Sequence, residues 1–127
     1  MIVTVNAASI RRLEPCGTTP NCVCSCDRRP RFHVPPLPLT QPPERALAAI
    51  LNELRTWRRT VIVDDGPRHV HAVCRSPVFQ FADDLELVID EAQRQVHLRS
   101  ASRVGRYDFG VNRRRVRRLT RALRGLV

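Results

Sequence analysis

The chain has 127 residues, 43% of them hydrophobic, which is room for one domain and no more. Its 22 basic residues, every one an Arg, outweigh 12 acidic ones and leave a net charge of +10; a balance of that size favours contact with anions, whether nucleic acid, phospholipid headgroups or an acidic protein. No apolar run approaches the ~20 residues of a membrane-spanning helix. The uniform use of Arg reads first as a compositional bias of the source genome, and charge alone does not choose among those partners.

The opening stretch, MIVTVNAASIRR, lacks the basic start, apolar run and small-residue cleavage site of a signal peptide, so as written the chain is expected to be soluble and cytoplasmic. Residues 1–43 read as an arm: a short apolar start, a cysteine cluster CGTTPNCVCSC, then RRPRFHVPPLPLTQPP. Most of the ten prolines lie here, and such a stretch favours extended or polyproline II backbone over helix or central strand. It is expected to lie across the fold as a strap anchored by Val34, Leu37 and Leu39, rather than to serve as a Pro-rich ligand for another domain.

Pro43 and Glu44 then open a helix, ERALAAILNELRTW, whose Leu47, Ile50, Leu51, Leu54 and Trp57 recur at three- and four-residue steps on one face. From Thr60 the period becomes two. TVIVDD, RHVHAVCR, DLELVID and QVHLRS read as four strands, with a turn at Gly66 and Pro67 and a break at Ser76 and Pro77 that suits a bulge or crossing. The last two strands can be put in register: Ile89 opposite Val96, Leu87 opposite Leu98 and Leu85 opposite Ser100 on one face, Glu86 opposite Arg99 on the other. A closing helix starts near Asn112, read as its N-cap, after Gly110, which can take a positive φ. Val116, Leu119, Leu123 and Leu126 form its apolar edge, and seven arginines fill the rest. The expected fold class is α+β: a four-stranded antiparallel sheet with one helix before it and an Arg-rich helix after it. The Pro/Cys-rich arm of residues 1–43 packs on the 44–127 domain, and the whole is one domain.

The spacing of Cys16, Cys22, Cys24 and Cys26 is unlike the paired C-x2-C of zinc knuckles, even with His33 as a further ligand. A Cys16–Cys22 disulfide fits better wherever the compartment is oxidising. Cys74 alternates with Val70 and Ala72 and reads as a small buried residue. His69 and His71 share a strand face, but no carboxylate stands at an obvious spacing to complete a metal shell, so both read as solvent-facing. No phosphate loop, nucleophile elbow, GxGxxG or His-Glu-x-x-His is present; neither a cofactor nor a metal is expected.

The acidic group Asp83, Asp84 and Glu86 is expected to face Arg99 and Arg103, either as a polar pocket for a ligand or as a mutually satisfied structural network. The stretches PCGTTPNCV, FADDLEL and RSASRVGRYDFGVNRRRV resemble the three signature segments of the domain-of-unknown-function 1499 family. The resemblance covers about residues 13–120. It picks out Cys16, Asn21 and Cys22; Asp83, Asp84 and Glu86; and Arg99, Ser100, Ser102, Arg103, Gly105, Asp108, Gly110, Asn112, Arg113 and Arg115. Cys24 stands where the family pattern usually has Ser, Cys26 is extra, and Arg106-Tyr107 replaces a Tyr-Ser pair. The family implies no reaction.

The expected function is a non-enzymatic binding module. Its pocket, at the strand-to-helix corner 99–115, would suit an anion or carboxylate, and its candidate ligand-binding residues are Asp83, Asp84, Glu86, Arg99, Ser100, Ser102, Arg103, Asp108, Asn112, Arg113 and Arg115. The partner is then an unknown anionic ligand or an acidic protein. One alternative is a hydrolase-like enzyme with Asp83 or Asp84 as general base near Ser100 or Ser102. A second is weak, sequence-indifferent nucleic-acid binding by the closing helix.

Overall fold

The computed structural model describes residues 13–127; the reading of the opening stretch given above lies outside the described residues. The elements in chain order are β1 (Cys22–Cys24), β2 (Leu37–Pro38), α1 (Pro43–Arg55), β3 (Thr60–Asp65), β4 (His69–Arg75), β5 (Ala82–Asp90), β6 (Gln95–Ser102) and α2 (Val111–Leu123). All strand pairs are antiparallel, in the order β1-β6-β5-β4-β3, with β2 also on β6. The α+β class holds, but the sheet has six strands and not the expected four. The two extra strands come from the arm. β1 pairs with Arg99, Ser100 and Ala101 of β6, and β2 with Gln95 and Val96, so together they run along one edge of β6. An uncovered β6 would present a row of unpaired backbone groups, and the arm closes that edge.

The expected β5–β6 register is the one observed, including Leu87↔Leu98 and Glu86↔Arg99. Pleat alternation then divides the sheet into two unlike faces. One face carries Leu85, Leu87, Ile89, Val96, Leu98, Val70 and Ala72 and packs under α1 and α2 through Ile50, Leu51, Leu54, Val116, Leu119 and Leu123. The arm anchors Val34, Leu37 and Leu39 belong to this core, and so do Cys74 and Trp57.

The other face is covered only in part. Leu13, Cys16, Cys22, Cys24, Phe32, Val88 and Ala101 form a second, smaller cluster beneath the arm. Asp27 is the arm's internal tie: its carboxylate accepts from the Cys16 and Arg29 amides and from the Arg29 guanidinium at 2.7 Å. Those Arg29 bonds hold the Asp27 carboxyl well below the usual carboxylate range. Arg29 also donates to the Cys16 carbonyl and lies 4.2 Å over the Phe32 ring. Cys16 and Cys22 are joined, with sulfurs 2.05 Å apart. Cys24 is buried, which pushes its thiol up to about 11, while Cys26 is exposed.

Several local expectations shift. Trp57 lies just past α1, its indole N–H donating to Glu53 at 2.7 Å and its ring covered by Arg118 of α2 at 4.1 Å. Asn112 is not the N-cap of α2. The helix starts at Val111, Gly110 takes the cap position with φ +80°, and Asp108 supplies the capping carboxylate to the Gly110 and Asn112 amides. Leu126 is exposed, and Val127 is buried in its place. The break at Ser76 and Pro77 is a loop joining paired strands β4 and β5; the register shift occurs instead in β3, between Ile62 and Asp64.

Candidate functional site

The residues singled out from sequence do not form one pocket, because alternation sends Asp83 and Asp84 to opposite faces of the sheet. Asp83 is on the helix face with Leu85, and Asp84 on the other face with Glu86. The corner 99–115 is split the same way, and two separate polar groupings result.

On the helix face the centre is Asn112, fully buried. Its side-chain oxygen accepts from Ser100 Oγ at 2.7 Å and from Arg115 Nη1 at 2.8 Å. Its side-chain nitrogen donates to Asp108 at 2.8 Å, to Ser102 Oγ at 3.0 Å and to the Asn21 carbonyl at 3.0 Å. Arg115 spans from Ser100 Oγ to Asp83, with a 2.8 Å ion pair. Asn21 in turn donates to the Gly105 carbonyl at 2.7 Å. Among the described residues no buried side-chain nitrogen or oxygen is left without a partner. Ser100, Ser102, Asp108, Asn112, Arg115 and Asp83 are thus the lock that fixes β6, the loop, α2 and the arm together. Arg113 stands apart from them: its guanidinium donates to the His33 and Arg31 carbonyls and clips the arm to α2.

On the opposite face a row of charged groups crosses the sheet. Arg103 forks onto Asp84 with bonds of 2.9 and 2.8 Å, and His71 Nε2 lies 2.7 Å from the same carboxylate. Next to it Glu86 lies between His69 at 3.3 Å and Arg99 at 4.0 Å, while Arg99 also donates to the Glu14 carbonyl. His69 has a carboxylate at each ring nitrogen, Glu86 on one side and Asp64 on the other. The two histidines expected to face solvent are therefore paired with acids, and His69 is buried. The carboxylates came from β5 and β3, which only the pairing register could show. Opposed across the imidazole, they do not converge, and among the described residues no three His, Cys, Asp or Glu side chains form a metal-binding group.

This row borders a hollow of about 400 Å³ that the sequence did not announce. Val61, Val63 and Val73 line it, with Arg59, Arg75, Arg103 and Gln80 around them. Val61 and Val73 are directly paired across β3 and β4. Arg59 donates to the Arg75 carbonyl and Arg75 to the Gln80 carbonyl, so among the described residues both guanidiniums bond to backbone carbonyls beside the hollow. Arg103 joins the hollow to the charged row. Of the residues predicted for a site, it alone lines this space. The signal for it was on β3, where Val61 and Val63 are exposed at alternate positions following Arg59.

The family model described as "Protein of unknown function (DUF1499)" matches residues 12–123. The chain belongs to this family. No curated protein and no solved structure matches it. Among the described residues no helix is long and apolar enough to cross a membrane.

Two outcomes follow from this geometry. Asn112→Ala would strand buried donors and acceptors at about 1–3 kcal/mol each, so urea unfolding should show a loss of at least roughly 3 kcal/mol. Arg103's fork lowers the pKa of Asp84, against partial burial and with help from His71. A depressed folded pKa stabilises the fold fully above the unfolded value of about 3.9, and the contribution disappears as pH falls through the lowered folded value. Asp84→Asn should accordingly flatten the acid limb of stability against pH, as read by thermal melts across that range.

Proposed function

We propose that the protein is a non-enzymatic binding module whose ligand is an amphipathic anion, a carboxylate carried on an apolar body. The observation that supports this most directly is the composition of the hollow: three valines line it, and three guanidinium groups stand around them. Pockets of this kind hold the apolar part of a ligand by burial and orient its charged end with a few placed polar groups. Arginine suits the second task because its planar fork matches a carboxylate. Arg59 and Arg75, which donate to neutral carbonyls, are better placed to meet the charged end than Arg103, whose fork is already held by Asp84. The candidate residues on the helix face contribute indirectly, by holding the β6–α2 corner from which Arg103 projects.

The hydrolase reading draws less support. A general base works best with a pKa near the working pH, and Arg103 moves Asp84 the other way. Asp83 is engaged by Arg115 on the far face of the sheet. Nucleic-acid binding by α2 also loses ground, because Arg113 and Arg115 are turned inward to the arm and the lock, and Arg118 covers Trp57.

Octanoate and acetate serve as paired probes, one with an apolar tail and one without. In heteronuclear NMR titrations octanoate should shift the methyls of Val61, Val63 and Val73, and acetate should do so far more weakly. Arg75→Ala should weaken octanoate binding roughly tenfold, as expected for losing one charge-assisted contact of about 1.5–3 kcal/mol. Shifts scattered over the surface, or equal responses to the two probes, would overturn the reading.

A further inference from the structure

The end of the sheet beside the hollow exposes a set of apolar rings that neither the fold nor the hollow uses. The β4–β5 loop leaves at Arg75 and returns at its paired residue Ala82. The β6–α2 loop leaves the same end, for Ser102 pairs with Asp83 and the Arg103 amide donates to the Ala82 carbonyl. On the first loop Phe79 is 74% exposed and Phe81 54%; on the second Tyr107 is 71% and Phe109 87% exposed. Exposed loop tips ordinarily carry small polar residues, and an exposed apolar cluster of this kind marks an interaction surface.

The backbone is shaped to display these rings. Gln80 and Phe109 both hold left-handed φ values, 59° and 54°, which a side chain other than glycine adopts at a cost. At Gln80 that conformation sits between Phe79 and Phe81, whose rings stack 5.5 Å apart. At Phe109 the carbonyl is held by the Arg114 guanidinium at 2.8 Å. The charge around the rings is mainly positive, and the nearest acids on β5, Asp83 and Asp84, are each paired with an arginine, Arg115 and Arg103. Residues 75–81 include Arg75 and no acid, while 103–111 include Arg103 and Arg106. Asp108, the acid within that second stretch, is taken up by the Gly110 and Asn112 amides and the Asn112 side chain.

We propose that this end of the protein docks on an anionic phospholipid surface, with Phe79, Phe81, Tyr107 and Phe109 entering the headgroup region and the neighbouring arginines meeting lipid phosphates. Tyr favours the membrane–water boundary, Phe is among the residues that peripheral elements bury there, and such attachment combines apolar burial with attraction to anionic lipid. The rings stand on two separate loops interspersed with arginine. A protein-binding hot spot would instead gather its aromatics at a dry, well-packed centre. The net charge of +10 reinforces approach to such a surface.

The test is sedimentation of the full chain with vesicles of mixed phosphatidylglycerol and phosphatidylcholine, and with phosphatidylcholine alone. The wild type should pellet with the anionic vesicles, more weakly as salt rises, and stay in solution with the neutral ones. A Phe79→Ser/Phe81→Ser double variant, and separately Phe109→Ser, should bind the anionic vesicles on the order of tenfold more weakly, the effect of losing part of a phenylalanine burial. None of Phe79, Phe81 and Phe109 lines the hollow, and all three are exposed, so both variants should keep the wild-type melting temperature and octanoate response. Three results would overturn the proposal: no binding to anionic vesicles, binding unchanged in both aromatic variants, or a wild-type dimer that the aromatic substitutions dissolve.

Discussion

The side-chain amide of Asn112 is the point on which the rest of the structure depends. Its nitrogen and oxygen together engage Asn21 of the arm, Ser100 and Ser102 of β6, Asp108 of the loop and Arg115 of α2. Asn21 is 91 residues away in the chain, while the other partners come from the end of β6, the loop and the first turns of α2, three to twelve residues away. A buried amide that satisfies all its hydrogen-bonding capacity is worth little net energy per bond, but any alternative arrangement leaves polar groups stranded in an apolar interior. That asymmetry selects one geometry for the corner. It also places Arg103, the first residue past β6, so that its side chain emerges on the opposite face, where Asp84 holds it.

The signature-like stretch RSASRVGRYDFGVNRRR thus does two kinds of work, divided by the plane of the sheet. Its helix-side residues are spent on architecture. Its other side presents one guanidinium to an open hollow, and its turn presents Tyr107 and Phe109 to solvent. The arm has a comparable double part: it closes the β6 edge and packs over Val88 and Ala101 of the outer face, away from the hollow-lining Val61, Val63 and Val73 of β3 and β4. The valine-lined depression lies on that side, next to the charged row.

Much of this was legible in the chain, and the failures have physical causes. The β5–β6 register could be read because apolar and charged residues alternate on both strands, so a slip of one would reverse every side chain. The stripe Ile50, Leu51, Leu54 identified α1 for the same kind of reason. β1 and β2 could not be read: strands of three and two residues, rich in cysteine and proline, exist only because β6 offers them an edge. The carboxylate partners of His69 and His71 depended on the β4–β5 pairing and on the bulge in β3, neither of which has a local signal. The separation of Asp83 from Asp84 was available from strand parity, since adjacent residues in a strand point to opposite faces. Grouping them by proximity in sequence hid it. Asp108 as the cap of α2 was masked by Asn112, a residue type equally suited to that position.

The sheet separates a structural lock on one face from an arginine that lines the hollow on the other. A double-mutant cycle on stability between Asn112→Ala and Arg103→Ala measures this directly, because the two substitutions act on groups of the same corner that share no hydrogen-bond partner. The account predicts additivity within about 0.5 kcal/mol. A coupling energy above about 1 kcal/mol, of the kind found within a single network, would contradict it.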